Sequence, residues 1–257
     1  MLDASRMLSG WMLDEQGRVG ACACVRFSPF THQPINKTGD HRMQLEALFP
    51  DIRPGQIAQI EQYCELLREW NQRVNLVSRQ DVGQLMAHHI LPSLIPLRLI
   101  DIAAGSWVLD IGSGGGLPAI PLKIMRPDLQ VLMVDSVRKK TLFLKKVIAD
   151  LGLSGISAGN RRIEELSAEV DFLNKFDLIT ARAVGRIGQL IEWGKPYRKD
   201  QGYFLLWKGM SDIAELEAGA GEGNYHYQIF TVPEAFQQLS PKFRELCWFR
   251  IDPLCHI

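Results

Sequence analysis

The chain has 257 residues, and its 29 basic and 29 acidic side chains give a formal net charge of zero. This length fits one large domain, or one domain with a small appendage, and the 46% of hydrophobic residues suffice for a core without disulfides or a metal. The balanced charge excludes a histone-like protein that binds nucleic acid in bulk, but it leaves room for a local basic face.

The first part of the chain divides into two segments. Residues 1–42 lack a regular helical or strand pattern and contain several glycines and prolines, so we predict a poorly ordered extension. Residues 43–104 have a helical pattern, which is clearest over 55–73 and returns over 81–100 with two prolines in it. The sequence therefore predicts a small N-terminal helical part over 43–104.

Residues 105–257 alternate between short apolar strands and helices. The predicted strands cover 108–111, 131–135, 156–159, 176–183, 203–207, 225–232 and 245–251. The predicted helices cover 117–126, 137–151 and 187–198. Alternating units of this kind build an α/β domain with a mostly parallel sheet, and the last two strands, with no convincing helix between them, predict an antiparallel ending.

A glycine loop, DIGSGGGLP over 110–118, follows the first of these strands and opens a helix. Gly112, Gly114 and Gly116 allow a tight turn and the close approach of a ligand. The third glycine comes one position earlier than in the dinucleotide fingerprint, which disfavours a nicotinamide oxidoreductase. Asp110 precedes the loop, and Asp135 ends the next strand, where a carboxylate can accept both hydroxyls of a ribose.

These features resemble the S-adenosyl-L-methionine loop of Rossmann-like methyltransferases more closely than a nicotinamide loop. We therefore take both aspartates and all three glycines as candidate cofactor-binding residues. A tight turn without any ligand is the less favoured interpretation, because the acidic residues and the glycines all fall at strand ends, where open parallel sheets bind ligands.

The predicted helix over 137–151 has a basic side. Helical spacing places the basic side chains opposite an apolar side. The basic side consists of Arg138, Lys139, Lys145 and Lys146, and the apolar side of Val137, Thr141, Leu144, Ile148 and Leu151. No acid occurs within 136–149. Two interpretations stay open, a solvated helix face and a surface that contacts RNA phosphates.

Five cysteines, at positions 22, 24, 64, 247 and 255, are spaced neither as a disulfide framework nor as a zinc site. We expect free thiols in a reducing compartment and no metal. The sequence has no apolar run of about 18 residues and no secretory signal, which predicts a cytoplasmic protein.

Several longer runs identify a family that the chain resembles. They are DIGSGGGLPAIPL at 110–122, RPDLQVLMVDSVRKKTLFLKKV at 126–147, NRRIEEL at 160–166, ITARAVGRI at 179–187 and LLWKG at 205–209, with WNQRVNL at 70–76 and HHILPSL at 88–94 nearer the N-terminus. In this order they resemble the small-subunit ribosomal RNA methyltransferase G family, also called glucose-inhibited division protein B. The resemblance covers roughly residues 43 to 251.

The resemblance implies a fold, an activity and a set of site residues. The fold is a Rossmann-like class I methyltransferase, and the activity is N7-methylation of a guanine in the 530 loop of 16S rRNA with S-adenosyl-L-methionine. It implies cofactor contacts at Gly112, Leu117, Ile163, Glu164 and Arg182, and basic residues around the reacting atoms at Arg162, Arg182 and Lys208. Pro92 departs from the family, which commonly has Asp there in an H-x-x-D-S motif.

Guanine N7 has a lone pair and no proton, so its attack on the sulfonium methyl requires no general base. Catalysis then rests mainly on positioning. Two other functions stay open at this point: a small-molecule or protein methyltransferase with the same cofactor fold, and a non-catalytic rRNA-binding assembly factor. The basic helix and the length of the resemblance favour the rRNA enzyme.

Overall fold

A computed structural model of the chain describes residues 11–13, 19–21, 41–168, 170–237 and 240–253. The prediction of a poorly ordered extension over 1–42 falls mostly outside these residues. Within that stretch, β1 (Trp11–Leu13) and β2 (Val19–Ala21) pair as two short antiparallel strands.

The N-terminal helices are α1 (His41–Leu48) and α2 (Pro54–Asn71). The helical stretch that follows is divided into a 3-10 segment at Arg79–Gln84, a π-helical turn at Met86–Ile90, α3 (Leu91–Leu94) and a 3-10 turn at Ile95–Arg98. Prolines at 92 and 96 lack the backbone N–H that a continuous helix needs, which explains the division.

The central sheet has seven strands in the order β5-β4-β3-β6-β7-β9-β8. They are β3 (Trp107–Ile111), β4 (Gln130–Asp135), β5 (Ile156–Asn160), β6 (Phe176–Arg182), β7 (Arg198–Gly209), β8 (Tyr225–Thr231) and β9 (Leu246–Pro253). The strands β3 to β7 pair in parallel, and β9 pairs antiparallel with both β7 and β8. The predicted parallel sheet with an antiparallel ending is confirmed.

Helices cover both faces of the sheet. They are α4 (Ala119–Met125), α5 (Arg138–Asp150), α6 (Ile187–Gly194), α7 (Ile213–Gly221) and α8 (Glu234–Gln237). Helix α7 does not follow from the sequence pattern, because Leu216 is its one buried residue and the helix has hardly any apolar periodicity. Within the described part of the chain, no helix has the length and apolar character to span a membrane.

Alternate residues of the strands enter two separate cores. Val108 and Met133 belong to a core shared with α1, α2, α4 and α5, whereas Leu109 and Leu132 belong to a core under α6 and α7. The N-terminal helices therefore pack on the sheet through the same core as the helices of the α/β domain.

The buried side of α5 differs from the predicted one at one end. Thr141 and Leu144 are buried as expected, together with Phe143 and Val147. Val137 is 44% exposed, so its placement on the apolar side is wrong. It precedes the first helical turn with an extended backbone and therefore does not follow the helical spacing.

Two of the five cysteines lie among the described residues. Cys64 and Cys247 are buried free thiols, and burial raises the pKa of each to about 12. Cys22, Cys24 and Cys255 lie outside the described residues. No group of three or more His, Cys, Asp or Glu side chains within the described ranges has the arrangement of a metal site.

Candidate active site

The glycine loop connects β3 to α4 at the carboxyl edge of the sheet, and its glycines serve different purposes. Gly112, Gly114 and Gly116 all have positive φ, a backbone conformation that favours glycine. A side-chain carbon on Gly116 would lie 2.5 Å from Ile120, and one on Gly112 would lie 2.6 Å from Val184, so packing requires both glycines. In front of Gly114 the nearest atom is 3.8 Å away, which leaves the loop open to a ligand there.

The carboxylate of Asp135 at the end of β4 holds the open part of this loop. Its Oδ2 accepts a hydrogen bond from the Gly114 N–H at 2.8 Å, and its Oδ1 accepts one from the Val137 N–H at 2.8 Å. An ionised carboxylate has about four acceptor positions, so two remain for a ligand. Asp135 therefore fixes the loop and can still accept hydroxyl groups.

Asp110 lies fully buried below the loop. Thr180 Oγ1 donates to its Oδ1 at 2.7 Å, whereas its Oδ2 has no hydrogen-bond partner among the described residues. Burial raises the pKa of Asp110 to about 6. The side chain thus offers an unused acceptor beneath the loop.

The segment after β5 borders Asp135. In the β4–β5 register Asp135 lies opposite Asn160, whose Nδ2 donates to the Asp135 carbonyl at 3.1 Å. Ile163 and Glu164 begin the next 3-10 turn, in which Ile163 is buried and Glu164 is exposed.

A cavity of about 620 Å³ opens at the ends of β6 and β7. Val184 in its lining also packs against Gly112 of the loop. Three parts of the chain form its walls: these strand ends, the segments between α2 and α3, and the segment before β9. Its polar and aromatic lining residues include Asp81, His88, His89, Arg182, Trp207, Lys208, Asp212, Lys242 and Glu245.

Arg182 at the end of β6 joins the strand to the N-terminal helical part. Its guanidinium donates to the carbonyls of His88 at 2.8 Å and His89 at 3.0 Å, and to Ser93 Oγ at 3.3 Å. Burial lowers its pKa to about 10, so it stays protonated. Pro92 has no backbone N–H and so donates no hydrogen bond to the preceding helical turn. The guanidinium of Arg182 donates to the carbonyls of His88 and His89 in that turn instead.

An ionic cluster lines the cavity where the segment between α2 and α3 meets the segment before β9. Asp81 Oδ1 lies 2.7 Å from His88 Nδ1 and 2.8 Å from Lys242 Nζ, and the hydrogen bond from Lys242 lowers the pKa of Asp81 to about 2. His89 Nδ1 lies 3.2 Å from Arg182 Nη2. Burial, with Arg182 nearby, lowers the pKa of His89 to about 4, so its imidazole is neutral.

The three basic residues implied by the resemblance do not lie together. Lys208 Nζ donates to the Gly185 carbonyl at 3.0 Å and shares the cavity with Arg182. Arg162 is exposed after β5, and β4 and β3 separate that strand from β6. The structure therefore brings Arg182 and Lys208 together and leaves Arg162 on the Asp135 side.

The basic side of α5 is exposed and starts three residues after Asp135. Arg138, Lys139, Lys145 and Lys146 all face solvent. Lys146 pairs with Asp150 at 2.7 Å, an acid that lies just beyond the 136–149 window. The basic side of α5 therefore has one positive charge that is neutralised by a neighbouring acid, which the 136–149 window does not include.

Sequence reasoning missed three residues of the site. Asp81 and Lys242 lie 161 positions apart, and no spacing pattern connects them. Tyr63 on α2 donates from its hydroxyl to the Gly115 carbonyl at 2.5 Å and so supports the loop from below. Its place in the buried pattern of α2 predicts burial, but nothing in the sequence indicates the partner.

A model of the family described as rRNA small subunit methyltransferase G matches residues 56–239. The ribosomal RNA small subunit methyltransferase G of Lachnoclostridium phytofermentans is 42% identical over 67% of this chain and 72% of that protein. The proteins of the same name from Moorella thermoacetica and Chromobacterium violaceum are 38% and 34% identical, over 66% and 70% of this chain and 70% and 83% of their own lengths.

Two solved structures share the fold. The fibrillarin/Nop5p complex superposes with a TM-score of 0.50 at 13% identity, covering 64% of this chain and 83% of that chain. A mutant of MtNAS also superposes with a TM-score of 0.50, at 15% identity, covering 82% and 78%. At these identities the likeness concerns the fold alone.

Relative to the wild type at the same pH, Asp110→Asn is expected to have a higher free energy of unfolding, and the difference should grow as the pH rises from about 4 to about 6. Because burial raises the pKa of Asp110 from 3.8 to about 6, the stability of the wild type is fully present below pH 3.8 and falls as the pH rises through about 6. At 1.36 kcal/mol per pKa unit, the loss is on the order of 3 kcal/mol. Denaturant titrations of both proteins across this range measure it, and a difference that does not change with pH would contradict the prediction.

Proposed function

The chain belongs to the rRNA small subunit methyltransferase G family, and we propose that its Asp135 edge holds the cofactor while the adjoining cavity receives the target base. It uses S-adenosyl-L-methionine to methylate N7 of a guanine in 16S rRNA. This activity replaces the two alternatives that the sequence left open. The observation that supports the proposed site is that Val184, which lines the cavity, also packs against Gly112 of the glycine loop.

The residues of this edge fit the cofactor. The two unused acceptor positions of Asp135 suit the ribose hydroxyls, and the unpartnered Oδ2 of Asp110 suits a cationic group such as the ammonium. The open space before Gly114 suits the close approach of the ligand. When bound, S-adenosyl-L-methionine supplies a methyl group on a sulfonium.

The other candidate cofactor residues differ in their surroundings. Gly112, Ile163 and Glu164 border the Asp135 edge, and we keep them in the proposed binding set. Packing requires a glycine at Gly116 as it does at Gly112, and the cofactor contact of Gly116 stays a prediction. Arg182 acts in this proposal through positioning, because its guanidinium donates to protein atoms. Leu117 is buried in the core, and its cofactor contact stays a prediction.

The proposed mechanism is positioning of the guanine in line with the methyl group. Arg182 holds the wall of the cavity, and Lys208 lies where an ammonium can contact the base or its phosphate. Methyl transfer leaves a positive charge on the guanine ring. Asp81 and Asp212 also line the cavity, and their carboxylates offset this charge.

The exposed side of α5 is the proposed RNA-contact surface, together with Arg162. Arg138, Lys139 and Lys145 form no ion pair within the described parts of the chain, so their charges remain available to phosphates. The helix begins next to Asp135, so RNA on this surface extends from the cofactor edge. Since ribosomal RNA is the substrate, we also propose a cytoplasmic location.

Asp135→Asn is expected to raise the Kd for S-adenosyl-L-methionine about 10- to 100-fold, because hydrogen bonds to charged groups contribute roughly 1.5–3 kcal/mol. In the variant, the amide NH₂ also faces one of the two backbone N–H groups that donate hydrogen bonds to Asp135, so that hydrogen bond is lost. Calorimetry measures the Kd, and thermal unfolding checks the fold. The control Asp51→Asn, an exposed carboxylate between α1 and α2, should bind as the wild type does. An unchanged Kd for Asp135→Asn would defeat the proposed cofactor edge.

Replacing Lys139 and Lys145 with Gln is expected to weaken binding to 30S particles or 16S rRNA and to reduce its salt dependence. Each lost phosphate contact lowers the slope of log K against log salt by about 0.7–0.9. Filter binding from about 50 to 200 mM salt measures the slope. Lys199→Gln, at the amino end of β7 where the lysine pairs with Asp177, is the control for loss of a lysine charge away from α5. An unchanged slope in the double variant would show that this surface does not contact the RNA.

A further inference from the structure

We propose that Asp81 reads the target guanine by accepting a hydrogen bond from its N1–H through Oδ2. This inference rests on the proposed function, since it requires the guanine to lie in the cavity beside the glycine loop. It adds a residue that determines the choice of base.

The two oxygens of Asp81 have different surroundings. Oδ1 lies 2.7 Å from His88 Nδ1 and 2.8 Å from Lys242 Nζ. Oδ2 lies 3.6 Å from His89 Nε2, which is beyond hydrogen-bond distance. Within the described residues Oδ2 therefore has no hydrogen bond, although the side chain is only 16% exposed and lines the cavity.

The carboxylate is held rigidly enough to select a base. Lys242 comes from the segment before β9, and His88 comes from the π-helical turn whose carbonyls Arg182 fixes. Both partners act on Oδ1, so Oδ2 stays directed away from them. Because Lys242 keeps the pKa of Asp81 low, the group is an ionised acceptor at neutral pH.

Guanine and adenine differ at the atom that this acceptor would meet. Guanine N1 carries a hydrogen, whereas adenine N1 carries a lone pair that a carboxylate repels. N1 lies on the Watson–Crick edge, so N7 on the other side of the purine stays free to react. A carboxylate on N1–H therefore selects guanine without blocking its nucleophile.

The contact also favours the transfer step. The N7 lone pair forms the new bond to the methyl carbon, and the electron pair of the breaking S–C bond returns to sulfur, leaving a neutral thioether. The positive charge moves to the guanine ring, and the N1 proton stays on N1. A carboxylate at N1–H stabilises this charge as it develops.

Two other carboxylates line the cavity but are less suited to this role. Asp212 Oδ2 accepts from the Gly209 N–H at 2.9 Å, and its Oδ1 lies 3.8 Å from Lys208 Nζ. Glu245 is exposed at the rim. Asp81 differs from both, because its Oδ1 is held by His88 and Lys242 while its Oδ2 has no hydrogen bond within the described residues.

The test compares the wild type and Asp81→Ala on two substrates, with and without a methyl group on N1 of the target guanine. The target guanine in reconstituted 30S particles is either unmodified or carries a methyl on N1, introduced by ligation of synthetic RNA. For the wild type we expect the N1-methyl to lower kcat/KM for N7 transfer at least about tenfold, since one base contact is worth roughly 1–3 kcal/mol. For Asp81→Ala we expect slower transfer to unmodified guanine and less than a threefold further effect of the N1-methyl.

A structural role of Asp81 would give a different result. If the N1-methyl slows the wild type and Asp81→Ala by the same factor, the proposed contact does not exist. Should Asp81→Ala fail to fold, Asp81→Asn takes its place under the same criterion: Lys242 holds the amide oxygen, so the NH₂ occupies the position of Oδ2 and cannot accept. Asp101→Ala, an exposed carboxylate before β3, is the control and should keep the full N1-methyl penalty.

The experiment also separates this inference from the proposed function. A wild type that transfers no methyl to N7 of the unmodified guanine defeats the proposed function itself. A wild type that is active and equally sensitive to the N1-methyl with and without Asp81 defeats only the role of Asp81.

Discussion

The guanidinium of Arg182 connects the end of β6 to the carbonyls of His88 and His89, and the shape of the cavity depends on this contact. Arginine suits the position because its planar fork reaches several acceptors at once and remains charged when half-buried. Pro92 interrupts the helical hydrogen bonding next to these carbonyls, and its own carbonyl accepts from Trp207 Nε1 at 2.7 Å. The irregular turn is therefore fastened to the ends of two neighbouring strands.

The N-terminal helices support the cofactor loop as well as the cavity. Tyr63 donates to the Gly115 carbonyl, and a side chain on Gly115 would meet Leu67 and Leu76 within 3.2–3.5 Å. These contacts come from α2 and the segment after it, which share a core with α4 and α5. Helices that look like an appendage in the sequence are thus part of the site. This arrangement fits a reaction without an acid–base step, in which catalysis requires mainly that two reactants be held in line.

The parts of the fold that follow from local pattern could be predicted from the sequence. Short apolar strands alternating with helices predict the sheet, and the glycine loop and Asp135 lie together at neighbouring strand ends, because each of these signals is confined to a short stretch of chain. Packing contacts between distant segments could not be predicted. The contact between Asp81 and Lys242 and the four acceptors around Arg182 depend on the folded arrangement of separate elements. The cofactor contact of Gly116 stays a prediction, and its close packing against Ile120 and Leu144, which also requires a glycine, could not be predicted from the sequence.

We propose that Arg182 acts by fixing the cavity wall, not by its charge alone. Arg182→Lys tests it most directly, because lysine keeps the charge and loses the planar fork. Single-turnover transfer to 30S particles at saturating S-adenosyl-L-methionine gives the rate, and cleavage of the rRNA at 7-methylguanine with borohydride and aniline identifies the product. We expect a rate about 100-fold lower, since displacement of a reactant by about 1 Å costs that much, with the Kd for S-adenosyl-L-methionine changed less than threefold. A variant that transfers the methyl group at the wild-type rate, or that loses activity only through weaker cofactor binding, would contradict it.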